Sequence, residues 1–313
     1  MTRATHWASL SERGSVLGIR IVVACFRFLG ERAARVLLFP VVAYFLVTGS
    51  AARRASNQYF AHLRSFAGEA AALPPPGWRT AFRHMMAFAE SALHKFAAWL
   101  GKIDDAKVAF PEQAELQSVL ASGKGALLIG AHLGNLELTR ALAAGGRKAA
   151  VNAVVYAEHG RGFFDALAKA NPDFSVNLIH VSAVGPGTSI ELKDKVDRGE
   201  LLVIVGDRTP PNERGRTCSV DFLGAPAQFA KGPFILAALL ECPVYLFFCL
   251  KEEDGSYRIH LERFAERVSL PRAEREARLQ ELAQRYAHRL EAYCLKAPYQ
   301  WFNFYDYWEK RAA

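Results

Sequence analysis

Ala126-Leu127-Leu128-Ile129-Gly130 is an uninterrupted apolar run, and Ala131-His132-Leu133-Gly134-Asn135-Leu136-Glu137 follows it directly. A run this short, closed by glycine, is too brief for a helix and reads as a strand buried on both faces. A helical pattern resumes at 137–144, so His132 falls in a strand-to-helix loop. In open α/β sheets such loops line the ligand crevice at the carboxyl ends of the strands. Gly130 and Gly134 allow the backbone to bend and a substrate to come close. Glu137 falls in the first turn of the expected helix, where the helix dipole favours a carboxylate. A loop that turns back brings that carboxylate to one imidazole nitrogen and leaves the other for substrate. This arrangement fixes the tautomer and stabilises the imidazolium formed during proton abstraction. A histidine and an acid at this spacing, taken alone, are more often a solvated pair.

Apolar runs alternate with helical stretches on both sides of this segment. Strands are expected at 108–110, 151–156, 176–181, 201–205, 244–249 and 257–261, and helices at 113–121 and 234–240. A last helix follows Pro271, where Leu279, Leu282, Tyr286, Leu290 and Tyr293 form one stripe. The alternation predicts an α/β fold with a central, mostly covered sheet and flanking helices. Ahead of it, 56–100 reads as helix broken by Leu73-Pro74-Pro75-Pro76-Gly77. Phe82, Met85, Met86, Ala89, Leu93, Phe96 and Leu100 recur there at helical spacing and are expected to face a core. The expected organisation is a helical, membrane-associated region over 1–100 and an α/β domain over 101–313.

With 313 residues, 51% of them hydrophobic and 22% charged, the chain is a folding protein and not a disordered one. Its mean hydropathy of +0.03 lies between that of a soluble enzyme and that of a polytopic membrane protein. The net charge is +8, and up to residue 64 nine arginines face only Glu12 and Glu31. Those arginines are interleaved with Val, Leu and Phe runs, which suits an anionic lipid surface or an acidic partner better than nucleic acid.

The candidate membrane element is 16–48. Its first half carries Arg20 and Arg27, and its second, VLLFPVVAYFLV at 36–47, is interrupted only by Pro40. Neither run reaches the ~20 apolar residues of a straight span, and no signal-peptide cleavage site follows in the right place. Three readings stay open: a tilted, kinked span, a hairpin lying in the cytoplasmic leaflet, and a buried core hairpin. Arg53 and Arg54 favour membrane contact on the cytoplasmic side. Cys25, Cys218, Cys242, Cys249 and Cys294 form no CxxC or metal-type spacing and are expected to be reduced core thiols. Without P-loop, GxGxxG or zinc spacing, no cofactor and no metal is expected.

AHLGNLE at 131–137, GDR at 206–208, FLGAPAQF at 222–229 and KGPFILAALL at 231–240 occur in a recognisable order and spacing. They resemble the late acyltransferases of lipid A biosynthesis, within the wider lysophospholipid acyltransferase superfamily, and the likeness runs from about Val108 to the C-terminus. The resemblance implies acyl transfer from a thioester, on acyl carrier protein or coenzyme A, to a hydroxyl of a glycolipid or other envelope lipid. It places the protein on the cytoplasmic face of a bacterial inner membrane. His132 would take the hydroxyl proton and Glu137 would orient it, with no covalent acyl-enzyme. Gly134, Asn135, Asp207, Arg208, Lys231 and Gly232 are the substrate-binding positions it implies. Arg208 and the Gly134 and Asn135 amides are candidate oxyanion donors. Arg208 could equally hold a phosphate or pair with Asp207. Phe229, Phe234 and the strand ahead of Gly130 would line an acyl channel.

Two stretches depart from the pattern. Tyr156-Ala157-Glu158-His159-Gly160-Arg161 stands where lipid A enzymes commonly carry a basic residue. The ending Gln300-Trp301-Phe302-Asn303-Phe304-Tyr305-Asp306-Tyr307-Trp308 resembles a branch tied to other envelope lipids, including aryl-polyene glycolipids. Those aromatics would either cap the core or sit at the lipid headgroups. Two other functions are carried: a lipid acyl hydrolase using the same His-Glu pair, and a non-catalytic lipid-binding subunit. A hydrolase would be favoured by a G-x-S-x-G elbow, which the sequence lacks.

Overall fold

A computed structural model describes residues 16–68, 71–99, 107–136, 150–156, 176–181, 186–209 and 215–308. The chain forms two compact units. The first comprises 1–97, 221–227 and 288–313, and the second comprises 98–220 and 228–287. Residues 288–313 thus group with the N-terminal helices.

The second unit is built on a sheet whose strands are β1 (Val108–Ala109), β2 (Ala126–Gly130), β3 (Val151–Tyr156), β4 (Val176–Val181), β5 (Leu201–Val205), β8 (Val244–Lys251) and β9 (Tyr257–Ala265). Their order is β1-β9-β8-β2-β5-β3-β4. All neighbours are parallel except β8 and β9, which form an antiparallel pair. The helices of this unit include α4 (Gln113–Ala121), α5 (Pro186–Asp197) and α6 (Gly232–Leu240). Every residue of β2 is buried, which is why it reads as a run of apolar residues and not as an alternation. Alternate side chains divide between its faces. Ala126, Leu128, Leu201, Val203, Tyr245, Phe247 and Cys249 share one core with Leu116 and Leu120 of α4. Strand β9 has one covered and one wetter face, and so it alternates in burial.

The helices of the first unit include α1 (Val16–Thr48), α2 (Ser50–Ala67) and α3 (Trp78–Trp99). Helix α1 spans the stretch read as the membrane element, but its break is at Gly30 (φ 85°) and Pro40 stays within the helix. Ala34, Leu38, Val42 and Leu46 bury one face of α1 against Ala81, Met85, Met86 and Leu93 of α3. Phe28, Val36, Tyr44 and Val47 remain exposed. Arg53 donates to the carbonyls of Leu46 and Val47 at the end of α1, and its guanidinium lies 4.1 Å over the Trp78 ring. This cation satisfies the terminal carbonyls and the negative end of the helix dipole.

Among the described residues no single helix is long and apolar enough to cross a membrane. The pair 32–48 and 50–67, bent by 91°, meets the length and composition requirement only jointly.

The C-terminal aromatics close the core of this unit. Trp301 is fully buried, 5.0 Å from Tyr59 and 5.4 Å from Phe222 between ring centroids. Trp308 Nε1 donates to the Phe222 carbonyl at 3.0 Å. Phe222 precedes the turn of a hairpin between β6 (Thr217–Phe222) and β7 (Ala225–Ala230). Its two turn residues, Leu223 (φ 51°) and Gly224 (φ 75°), are both left-handed, the primed turn that matches strand twist. Buried Glu291, on helix α7 (Arg275–Lys296), accepts the Leu223 N–H at 2.7 Å.

Candidate active site

Strands β2 and β5 are neighbours, with Gly130 opposite Val205. Carried two residues further, the same register sets His132 opposite Asp207. Asp207 Oδ1 accepts from His132 Nδ1 at 2.8 Å, and Oδ2 accepts the His132 backbone N–H at 2.9 Å. One carboxylate thus holds both the loop and the ring. Asp207 is fully buried and the His132 side chain is 28% exposed. Because a carboxylate only accepts, Nδ1 carries the proton in this bond, and the neutral ring has its lone pair on Nε2.

The loop is fastened on its other side to β8. Asn135 N–H donates to the Cys249 carbonyl at 2.8 Å, and Gly134 bridges Cys249 in parallel fashion. Gly134 has φ +70°, and a Cβ there would stand 2.0 Å from the Cys249 oxygen. Glycine is therefore required by both conformation and space. Asn135, read as an oxyanion donor, uses its amide on the sheet. Desolvation pushes the buried Cys249 thiol well above its ordinary range, so it is a packing residue and no nucleophile.

The Gly130 carbonyl accepts from Gly206 N–H at 2.9 Å and from the Tyr286 hydroxyl at 2.8 Å. Gly206 directly precedes Asp207, and Arg208 follows it, half-buried. Lys231 immediately precedes α6. Its ammonium meets Glu276 and its backbone N–H the Arg216 carbonyl at 2.9 Å; Gly232 opens the helix. Phe229 and Phe234 are fully buried and pack edge-on against Tyr286 at 5.8 and 6.1 Å. They are core rings. Among the described residues no cluster of His, Cys, Asp and Glu could hold a metal.

His132, Gly134, Asn135 and Asp207 are thus brought together. Glu137, expected as the partner of His132, lies outside the described residues, as do Glu158, His159 and Arg161. Asp207 was expected to bind substrate; its contact with His132 depends on which strands are neighbours, and a single sequence carries no signal of that. Tyr286 was visible only as one member of a core-facing stripe.

Fold and site together define an α/β protein with a carboxylate-held histidine at the carboxyl edge of a mostly parallel sheet. The model of the bacterial lipid A biosynthesis acyltransferase family matches residues 79–310. The chain belongs to that family, and is an acyltransferase. No curated protein matches it.

Proposed function

We propose that the enzyme moves a fatty acyl group from a thioester to a hydroxyl of a glycolipid or other envelope lipid, with His132 as general base. The observation that carries this is the two-point hold of Asp207 on His132. With Nδ1–H committed to the carboxylate, the base is Nε2. The acceptor hydroxyl gives its proton to Nε2 while its oxygen attacks the thioester carbonyl. Collapse of the tetrahedral intermediate forms the ester, breaks the C–S bond and returns the proton to the departing sulfur. Asp207 stabilises the transient imidazolium. Glu137 stays in the proposal as the carboxylate of the His132 loop, acting on the same proton transfer. Arg208 remains the oxyanion or phosphate ligand, and Lys231 and Gly232 remain substrate-binding positions.

The donor is an acyl carrier protein or coenzyme A. An acidic carrier fits the excess of arginine before residue 65. Attachment to the cytoplasmic face of the inner membrane is supported by the exposed face of α1, where Val36 is 68% and Val47 66% accessible. Apolar side chains arrayed like this on one helix suit a lipid surface.

The test is incubation of purified enzyme with labelled acyl-carrier protein, or acyl-coenzyme A, and an envelope lipid extract. Label in an ester-linked lipid is the expected result. Free fatty acid alone, in amounts independent of added lipid, would replace the transferase reading with a hydrolase.

A further inference from the structure

The strand ends that carry His132 and Asp207 meet at one carbonyl and one ring. Tyr286 is fully buried on α7, and its hydroxyl is the second donor to the Gly130 oxygen, beside Gly206 N–H. The ring also occupies the space over Gly206. A Cβ at that position would come within 3.1 Å of Tyr286 Cζ and 3.2 Å of Ile129 Cγ2. Phe229 and Phe234 close on the same ring, so it has no room to withdraw.

Gly130 is two residues before His132, and Gly206 is one before Asp207. We infer that Tyr286 is a positioning residue for the His132–Asp207 pair, setting the spacing of the two backbones that deliver base and carboxylate. Only the meaning of the pair rests on the proposed acyl transfer; its geometry does not.

The physical reason is leverage at a strand end. Ladder pairing holds β2 and β5 up to Gly130 and Val205, and beyond them the two segments are joined by Gly206 N–H and the Asp207 carboxylate. A buried phenol donating to the last strand carbonyl continues the restraint by one more bond. That restraint matters for the pair because a 1 Å misplacement can cost about 100-fold in rate. A tyrosine that merely filled the core would affect melting temperature and nothing at His132.

The experiment reads the imidazole directly. Histidine-labelled protein is titrated by NMR, with the His132 signal identified by its loss in His132→Ala. Asp207 faces His132 from the segment after β5, with Arg208 next to it in sequence, and a nearby carboxylate raises the imidazole pKa. Asp207→Asn should therefore lower that pKa and sets the scale. Tyr286→Phe, which keeps the ring, should shift it in the same direction by a smaller amount. Gly206→Ala forces the ring from the other side and should do likewise. Leu279→Ala, a buried position on the same helix, should lower the melting temperature without moving the His132 titration.

In acyl transfer, Tyr286→Phe should lose ~10-fold in kcat with KM for the donor unchanged, a fraction of the loss a full misplacement gives. A His132 titration in Tyr286→Phe that overlays wild type, while Asp207→Asn shifts it, overturns the inference whatever the activity. A shifted titration in a protein that transfers no acyl group leaves the positioning intact and defeats the proposed function instead.

Discussion

Among the described residues, His84 and His132 are each held at a ring nitrogen by a buried partner, and the two partners differ. His84, in the helical unit, is fully buried. Its Nε2 donates to the Trp301 carbonyl at 2.8 Å, so Nδ1 is bare and accepts the Ser56 hydroxyl at 2.9 Å. Tyr59, Phe60, Phe302 and Phe304 surround the ring. Burial drives its pKa down to about 4. His132 carries the opposite tautomer, is partly open and rests on a carboxylate. A neutral cage makes a histidine part of the core, whereas a carboxylate at Nδ1 favours the imidazolium that a base must become. Hydrogen bonding alone does not separate the two; the charge of the partner does.

The sharpest way to break this contrast is to remove each ring's chemistry. His132→Ala should cost on the order of 10²–10⁴ in rate, with little change in melting temperature. Asp207→Asn keeps the shape and removes the charge, and Glu137→Gln does the same for the motif carboxylate. Both should be severely impaired, and each combined with His132→Ala should be scarcely worse than His132→Ala alone, since all serve one proton transfer. The measurement is single-turnover product formation beside donor binding, which should survive in every variant. Losses that multiply as independent factors would dismantle the unit.

The same contrast shows what could be read from the sequence. Strand β2, with its neighbours β5 and β8, was legible because a strand covered on both faces must be apolar throughout, and the His132 loop was legible because it follows β2. Helix α1 covers the 16–48 stretch, although its break fell at Gly30 and not at Pro40. The short β6–β7 hairpin appeared only as a resemblance at 222–229, because its turn chemistry lies in Leu223 and Gly224 and not in any periodicity. The partnership of Asp207 with His132 depends on strand order, and that of Ser56 with His84 on helix packing. Both contacts lie far apart in sequence, and neither residue has a local pattern to announce it. Nothing local in the sequence sets His84 apart among the nine histidines, and its cage is what shows it to be structural.

His84 supplies the next prediction, which concerns stability. Its folded pKa of about 4 lies below the ordinary 6.5, so the unfolded chain binds the proton more readily. The contribution is therefore complete above pH 6.5 and is lost as pH falls towards 4. At ~1.4 kcal/mol per pH unit, the full window is worth on the order of 3 kcal/mol. Urea unfolding at pH 7, 6, 5 and 4.5 should show wild type losing stability faster than His84→Gln across that range. Parallel curves would mean that His84 titrates normally and that its cage is open to water.

The smallest effect sharpens the contrast most, because it compares partner with partner. Ser56→Ala removes the hydroxyl from His84 as Asp207→Asn removes the charge from His132. The Ser56 bond is neutral at both ends, and leaving the buried Nδ1 without a donor should cost ~1–3 kcal/mol. The ring keeps its Trp301 bond and its aromatic neighbours, so the cage persists and the loss stays local. The melting temperature should fall by a few degrees, ~2–4 °C per kcal/mol for a chain of this size. Turnover per folded molecule should match wild type. Acyl transfer reduced as far as in Asp207→Asn, with the fold intact by circular dichroism, would show that His84 belongs to the chemistry and that the charge of the partner is not what distinguishes the two histidines.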